Sequence, residues 1–544
     1  MIRLAAIRRG ALLALVLCVA CSPIPPAATA PQASRAAHVS LRLIAFNDFH
    51  GHLETPPMGL VLPTGRMAAG GVAHLATAVK RLRQGHANSA VVAAGDLVSA
   101  SPPISSLARD EPTVDALGEA GLELSSVGNH EFDHGRDELL RLQSIARYQW
   151  LAANVIDSAT GKTILPAYAI REYEGIRVAF VGAVLRGTPQ IVSPSGVRGL
   201  QFRDEAASVN ALVPELRAMG VEAIVLLIHE GGRSTTPIGE EGCADFNGAI
   251  VAIMKRLDRA VDLVVSGHTH EAYVCRVEGR LVTSAGSYGR LVTAIDLTLD
   301  RTTGDVVAAQ ARNHVVDPKR YAADPLVLAR VERAAAAVRD IAGRVVGHVE
   351  GAFTQATSVA GESNLGDLVA DAQLEAMKEH GVQVAITNPG GLRAPIQSRR
   401  ADGAITYGDV YTAQPFGNNL VAMTLTAAQL LRALESQWRG ASVTAEVRIL
   451  QVSGLAYAWD GSKPRGTRVV RESVRVGGAP LDPKASYRVA MNNFLAEGGD
   501  GFTVFTEGVD RVGGPVDAQA LANYMSGRKM RAAPPQGRIT RMDR

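Results

Sequence analysis

Between residue 41 and about residue 300, short apolar runs alternate with segments whose apolar positions recur every three or four residues. This is the pattern of strands interleaved with helices in a layered α/β fold. In "GVAHLATAVKRLRQG", Val72, Leu75, Val79 and Leu82 share one helical face and Gly85 ends it. A second helix is predicted from Asp204 to near Gly220, leading into "VEAIVLLIHE", whose density of Ile, Val and Leu marks a buried strand. At residue 324 the pattern changes. "DPLVLARVERAAAAVRDIAG" has an aspartate cap, proline at the first helical position and Gly343 at its end, predicting a helix over 324–345 that joins a domain at 40–323 to another at 346–530. The second domain opens with "ESNLGDLVADAQLEAM", where Leu365, Leu368, Val369 and Ala372 form one apolar face. Strand-like "VQVAITN", "LVAMTL" and "YRVAMNNFL" follow, so this half reads as α/β or α+β, and the basic stretch 531–544 is expected to be loose.

The length of 544 residues supports the division into two cores, and 47% hydrophobic with 20% charged residues is a globular composition. Basic residues number 56 against 53 acidic, and three of them, Arg3, Arg8 and Arg9, precede the apolar run "ALLALVLCVAC". That run is too short to span a bilayer, so residues 1–21 read as an export signal. Its end, "LCVACS", resembles a bacterial lipoprotein signal with Cys21 as the lipidated residue, although Cys18 stands where such signals carry leucine. The alternative is an ordinary signal cleaved within the Ala/Pro-rich tether at 22–39. The expected location is the periplasm or an outer-membrane-anchored lipoprotein, with membrane contact only through that anchor. Cys243 and Cys275 remain, and in an oxidising compartment they are expected to pair. The near-neutral balance gives no reason to expect a nucleic-acid partner. We expect a monomer.

Five apolar runs end in metal-ligand types. "LRLIAFNDFHGH" ends in Asp48 and His50, "SAVVAAGDLVS" in Asp96, and "LELSSVGNHEFD" in Asn129 and His130; "AIVLLIHEGG" ends in His229, and "VDLVVSGHTH" in His268 and His270. One histidine after a strand is usually an ordinary core or surface residue, but five such endings converge on a site. Seven N/O donors, Asp48, His50, Asp96, Asn129, His229, His268 and His270, suit two divalent ions sharing one carboxylate, about 3.5–4 Å apart, that activate water and clamp a phosphoryl group. No cysteine takes part, which favours Zn, Mn, Fe or Co over a thiolate zinc.

The series D-x-H, G-D, G-N-H-E, strand-end His and G-H-x-H resembles the calcineurin-like metallophosphoesterases. "NDFHGH", "GNHEFD" and "SAGSYGRLV" are similar to the exported 5′-nucleotidase/UDP-sugar hydrolase branch. The resemblance implies a four-layer α/β/β/α sandwich for the first domain. It implies Asp48, His50, Asp96 and His270 on one metal, and Asp96, Asn129, His229 and His268 on the other. It makes His130 the group that faces the phosphate, with Asp133 holding its second N–H.

"ESNLGDLVADA", "TNPGGLRAPI", "QPFGNNL" and "NNFLAEGGDGF" resemble that family's C-terminal nucleotide-binding domain. This implies Asn388 and Arg393 on the phosphate side, Phe416 and Phe494 sandwiching the base, and Asp500 accepting from ribose hydroxyls. Family members carry an arginine shortly before the "N-x-G-x-L" helix start; here Gly361 lies near that place, which puts the substrate in question. The expected activity is metal-dependent release of phosphate from nucleoside 5′-monophosphates, with UDP-sugars or other nucleotides as further substrates. The alternatives are a 2′,3′-cyclic nucleotide phosphodiesterase/3′-nucleotidase, a thiol-acting relative, and a surface binding protein with a decayed site.

Overall fold

The computed structural model describes residues 36–57, 59–238, 243, 245–438 and 447–543. The export signal, Cys21 and most of the tether lie outside the described residues. The first domain holds two six-stranded sheets face to face. One runs in the order Val306–Val315, Leu291–Asp300, His38–Phe46, Ser89–Ala94, Leu124–Ser126, Gln149–Leu151, its last four strands parallel. The other runs Ala272–Val277, Arg280–Ala285, Val261–Ser266, Ala223–His229, Ile176–Val184, Tyr168–Tyr173, its middle four parallel.

Alternation along each strand makes the layers. Leu41, Leu43 and Ala45 point between the sheets, where they meet Phe180, Val225 and Leu263. Ile44 and Phe46 point the other way, onto the helices Val72–Arg83, Glu111–Glu119 and Arg136–Ile145. The outer face of the second sheet is covered by Glu205–Asn210, Val213–Ala218 and Ala249–Met254. The result is the expected α/β/β/α sandwich. The helix expected over 204–220 is in fact two: Asp204 caps the first, the chain breaks at Ala211 and Leu212, and Pro214 starts the second without an N–H to continue the ladder.

The helix Pro325–Ala342 is capped by Asp324, as expected, but it does not bridge the domains as a separate rod. Its buried Val327, Val331 and Val338 belong to the first domain's core, and Arg330 pairs with Asp115 and Glu119. The second domain is built on a mixed five-stranded sheet, Gln451–Ser453, Val384–Thr387, Ser486–Asn492, Asn419–Thr426, Val509–Val516. Helices Asn364–Ala376 and Ala427–Glu435 pack on it, and three smaller sheets of two, three and four strands accompany it among the described residues.

The C-terminal stretch is not loose. Lys529–Arg531 pairs in parallel with Val345–Glu350, and Ile539–Arg541 with Leu455–Trp459. Ile539 is buried, and the Arg538 guanidinium donates to Asp371 Oδ2 at 2.9 Å and to the Val452 carbonyl at 2.7 Å. The basic residues that suggested a solvated tail are partners for acids far away in sequence.

Candidate active site

All five ligand-bearing loops emerge where the parallel strands of the first domain end. Asp48 and His50 follow His38–Phe46, Asp96 follows Ser89–Ala94, and Asn129 follows Leu124–Ser126; His229 closes Ala223–His229, and His268 and His270 follow Val261–Ser266. Open parallel sheets collect functional groups at this edge because the loops there stand on rigid backbone. Asp48, His50, Asp96, His268 and His270 all have left-handed φ, between 47° and 72°. Such backbone costs about 1–3 kcal/mol per non-glycine residue and clusters at working sites.

Six of the seven expected ligands, all but Asn129, fall with His130 into overlapping groups. Donor atoms of Asp48, His50 and His270 lie within 4.8 Å of one another, as do those of Asp96, His229 and His268 and those of His50, Asp96 and His130. Asp96 thus stands between two clusters: its Oδ2 is 2.9 Å from His229 Nε2 and 3.6 Å from His50 Nε2. Asp48 Oδ1 is 3.3 Å from His270 Nε2. Second partners orient the rings. His50 Nδ1 is 3.0 Å from the Ser99 carbonyl and His229 Nδ1 is 2.7 Å from that of Ala94, which leaves Nε2 of each aimed inward.

Electrostatics agree with a cation-holding pocket. Burial disfavours ionisation of Asp96, but His229 and His130 outweigh it and hold the carboxyl well below its usual range. Burial likewise opposes a charged His229, yet Asp96 and Asp48 push it up to about 10. The carboxylates thus attract a positive charge wherever one is on offer. Buried Asn129 Oδ1 lacks a hydrogen-bond partner among the described residues, and His229 Nε2 has only the Asp96 carboxylate, 2.9 Å away but poorly aligned for a hydrogen bond, although each is a ligand atom by type. A donor set of imidazole, carboxylate and amide oxygen with these orphaned atoms fits two divalent ions.

His130 and Asp133 meet on one turn, Nδ1 to Oδ2 at 2.7 Å. Burial pulls the imidazole down, but Asp133 and then Asp96 raise it above its ordinary value. Two residues missed in the sequence brace this pair. Ser99 Oγ donates to Asp133 Oδ2 at 2.6 Å while the Ser99 carbonyl orients His50. Glu131, buried beneath, accepts backbone N–H groups from Asp96 at 2.9 Å, from Leu97 at 2.8 Å and from Gly128. The "GNHEFD" string could have flagged Glu131, but not the loop that it grips. Gly128 is required here, since a Cβ would lie 2.1 Å from Asp96 Oδ1.

Beyond the clusters lies a cavity of roughly 450 Å³ walled by both domains. Asn129, His130, Asp133 and His268 line it from the first domain, and Asn388, Arg393, Phe416, Phe494 and Asp500 from the second. Asp48, His50, Asp96 and His229 are buried behind that wall. The Phe416 ring stacks on His130 with centroids 5.6 Å apart, and the Arg393 guanidinium lies 5.8 Å from the Phe416 centroid. Ser193 Oγ donates across the domain boundary to Glu497 Oε2 at 3.1 Å. Asn388, expected on the phosphate side, lines the cavity and donates its Nδ2 to Asp500 Oδ2 at 2.8 Å. Gly361 is not on the cavity wall: its φ is +93°, and a Cβ there would lie 2.5 Å from Ile449 Cγ1. Arg448, which no motif marked, does line the cavity and pairs with Asp500. Away from it, Cys243 and Cys275 form a disulfide with Cα atoms 5.4 Å apart.

Comparison with known proteins gives a consistent picture. The calcineurin-like phosphoesterase family model matches residues 41–272, and the 5′-nucleotidase C-terminal domain model matches residues 345–507. The crystal structure of a 5′-nucleotidase precursor from Thermus thermophilus is 32% identical and superimposes with a TM-score of 0.79, covering 93% of this chain and 100% of that one. Endonuclease YhcR of Bacillus subtilis is 32% identical over 521 residues, covering 91% of this chain, which spans only 40% of that protein. Cell wall protein Lmo0130 of Listeria monocytogenes is 30% identical over 537 residues, 90% of this chain and 67% of that protein.

Proposed function

The chain belongs to the 5′-nucleotidase family of calcineurin-like phosphoesterases, and on that footing we propose that it releases phosphate from nucleoside 5′-monophosphates. The observation that carries this reading is the shared cavity: metal-ligand types and an imidazole–carboxylate pair on one wall, two aromatic rings, two arginines and a carboxylate on the other. A nucleotide has the matching polarity along its length, with phosphate at one end and a flat base at the other.

In this reading Asp48, His50, Asp96 and His270 hold one divalent ion, and Asp96, Asn129, His229 and His268 the second, of the Zn, Mn, Co or Fe type. Bound there, the two ions supply Lewis acidity at the phosphoryl oxygens and an activated water. The protein's own groups do the rest. Asp133 occupies Nδ1 of His130, leaving Nε2 to deliver a proton to the leaving oxygen. Arg393 approaches the phosphate end, and Phe416 and Phe494 grip the base by its faces, which tolerates any base. Asp500, held from two sides, takes the ribose. We further read the chain as exported, in line with its N-terminal pattern, the Cys243–Cys275 bridge and the name of its cell-wall relative. Cys21 is then the lipidated residue.

The test is a turnover panel with each metal over 5′-, 3′- and 2′,3′-cyclic nucleotides, UDP-glucose and p-nitrophenyl phosphate, read by chromatography of the nucleoside and nucleotide products as well as by released phosphate. The reading expects 5′-monophosphates to lead on kcat/KM. A lead for cyclic nucleotides, or turnover confined to p-nitrophenyl phosphate, would overturn it.

A further inference from the structure

Arg448 enters the cavity on a backbone fixed at two points. Its N–H donates to the Gln437 carbonyl at 2.9 Å, and the Leu450 N–H donates to Gln437 Oε1 at 2.6 Å. The side chain is 18% exposed, and Nη1 pairs with Oδ1 of Asp500, whose side chain is 5% exposed. The other Asp500 oxygen receives Nδ2 of Asn388, and Asn388 Oδ1 is held in turn by Asn492 Nδ2 at 3.1 Å. Asp500 itself sits at φ +52°. A carboxylate clamped on both oxygens, in strained backbone, has its direction imposed.

A buried ion pair adds little net stability over apolar filling, because desolvating both charges offsets their attraction. What this pair does is present an acceptor. Each carboxylate oxygen has room for two donors. Arg448 meets Oδ1 and Asn388 meets Oδ2, and Asp500 lines the cavity, so the carboxylate presents both oxygens to a ligand there in a fixed direction. Two adjacent acceptors match two vicinal hydroxyls.

Resting on the nucleotide reading above, we propose that Arg448 is a positioning residue that sets sugar specificity: by holding the Asp500 carboxylate in one orientation, it selects nucleotides with a free 2′,3′-diol over deoxy and 2′,3′-cyclic ones. The step involves no bond making. It discriminates because a ligand without the hydroxyls leaves buried acceptors unpaired.

The experiment uses the metal-loaded, full-length protein. Calorimetry measures binding of adenosine and 2′,3′-dideoxyadenosine, and kinetics compare AMP, its dideoxy analogue and p-nitrophenyl phosphate, for wild type, Arg448→Gln and Arg448→Lys. Wild type should favour the diol about tenfold or more, the range for losing a charge-assisted hydrogen bond. In Arg448→Gln that preference should fall towards one, with KM for AMP raised about tenfold and p-nitrophenyl phosphate turnover kept. Arg448→Lys, which keeps the charge but not the fork, should recover part of the preference. An unchanged diol preference in Arg448→Gln overturns the proposal. So does an equal loss on all three substrates by both variants, which would assign Arg448 to the fold alone. If wild type bound adenosine in this Arg448-dependent way yet released no phosphate from AMP, the nucleotidase reading would fall and the diol reading would stand. AMP turnover indifferent to the diol would do the reverse.

Discussion

Replacing Glu131 by glutamine changes one atom in a side chain that touches neither substrate nor any predicted metal ligand atom. Its carboxylate takes the Leu97 N–H on Oε1, and the Asp96 and Gly128 N–H groups on Oε2. It thereby locks the Asp96 loop to the Asn129 loop. In Glu131→Gln the amide nitrogen has to face at least one of these donors, and the least disruptive choice is Leu97. An orphaned buried N–H costs about 1–3 kcal/mol, and the two remaining bonds fall from charge-assisted to neutral strength, together about 1 kcal/mol. The sum, about 2–4 kcal/mol, lowers the Tm of a domain of this size by roughly 4–16 °C. Burial, and then the nearby Asp96 carboxylate, pushes Glu131 up to about 7, so the comparison belongs at pH 8, where the wild-type acid is ionised. Scanning calorimetry reads the first domain's transition with and without added metal, and elemental analysis after dialysis reads metals per chain. The variant should melt lower in both states and retain less metal, since partners that orient ligand loops are worth about 10–100-fold in affinity. A variant with the wild-type Tm and full metal content would refute the brace.

Asp96→Ala should remove both metals and abolish turnover, whereas His130→Ala should keep both by elemental analysis while losing about 10²–10⁴ in kcat; activity in a fully loaded Asp96→Ala protein would unseat its bridging place. Phe416→Ala or Phe494→Ala should raise KM for every nucleotide by about 5–100-fold, the range for one lost stacking face, and spare p-nitrophenyl phosphate; equal losses on both would mean that the second domain does not read the base. Asp262 is pushed up to about 8 by burial and by Asp305 alongside, so the folded form keeps a proton that the unfolded chain releases. Its contribution is full below the unfolded value near 4 and lost as pH rises to about 8. Asp262→Asn should therefore raise Tm at pH 8 and not at pH 4; a gain of equal size at both would assign the effect to packing.

Much of this molecule could be read from local pattern. The strand-end positions of Asp48, Asp96, His229 and His268 follow from where apolar runs stop, and the sandwich follows from two-residue alternation. Contacts between distant segments could not be read that way. Glu131 looks like an ordinary first-turn acid until Gly95–Leu97 is brought over it, and Arg448 has no motif because its partner Asp500 lies 52 positions on. Pro325–Ala342 was legible as a helix, but not as a first-domain helix, because its apolar face does not name the surface it meets. Arg538 read as solvated charge because Asp371 is 167 residues away.

The pairing of late strands with early ones has a consequence for synthesis. The first domain's layers are complete once residue 342 has left the ribosome, so it can fold while translation continues. The second domain has to wait: Val345–Glu350 and Leu455–Trp459 keep an open edge until Lys529–Arg531 and Ile539–Arg541 have been made. Pairings this far apart in sequence form slowly and leave strands exposed meanwhile. Ribosome-bound chains arrested before residue 529 should thus hold a protease-resistant first half beside a vulnerable second. A tag or truncation that disturbs residues 529–541 would act on yield before it acted on chemistry.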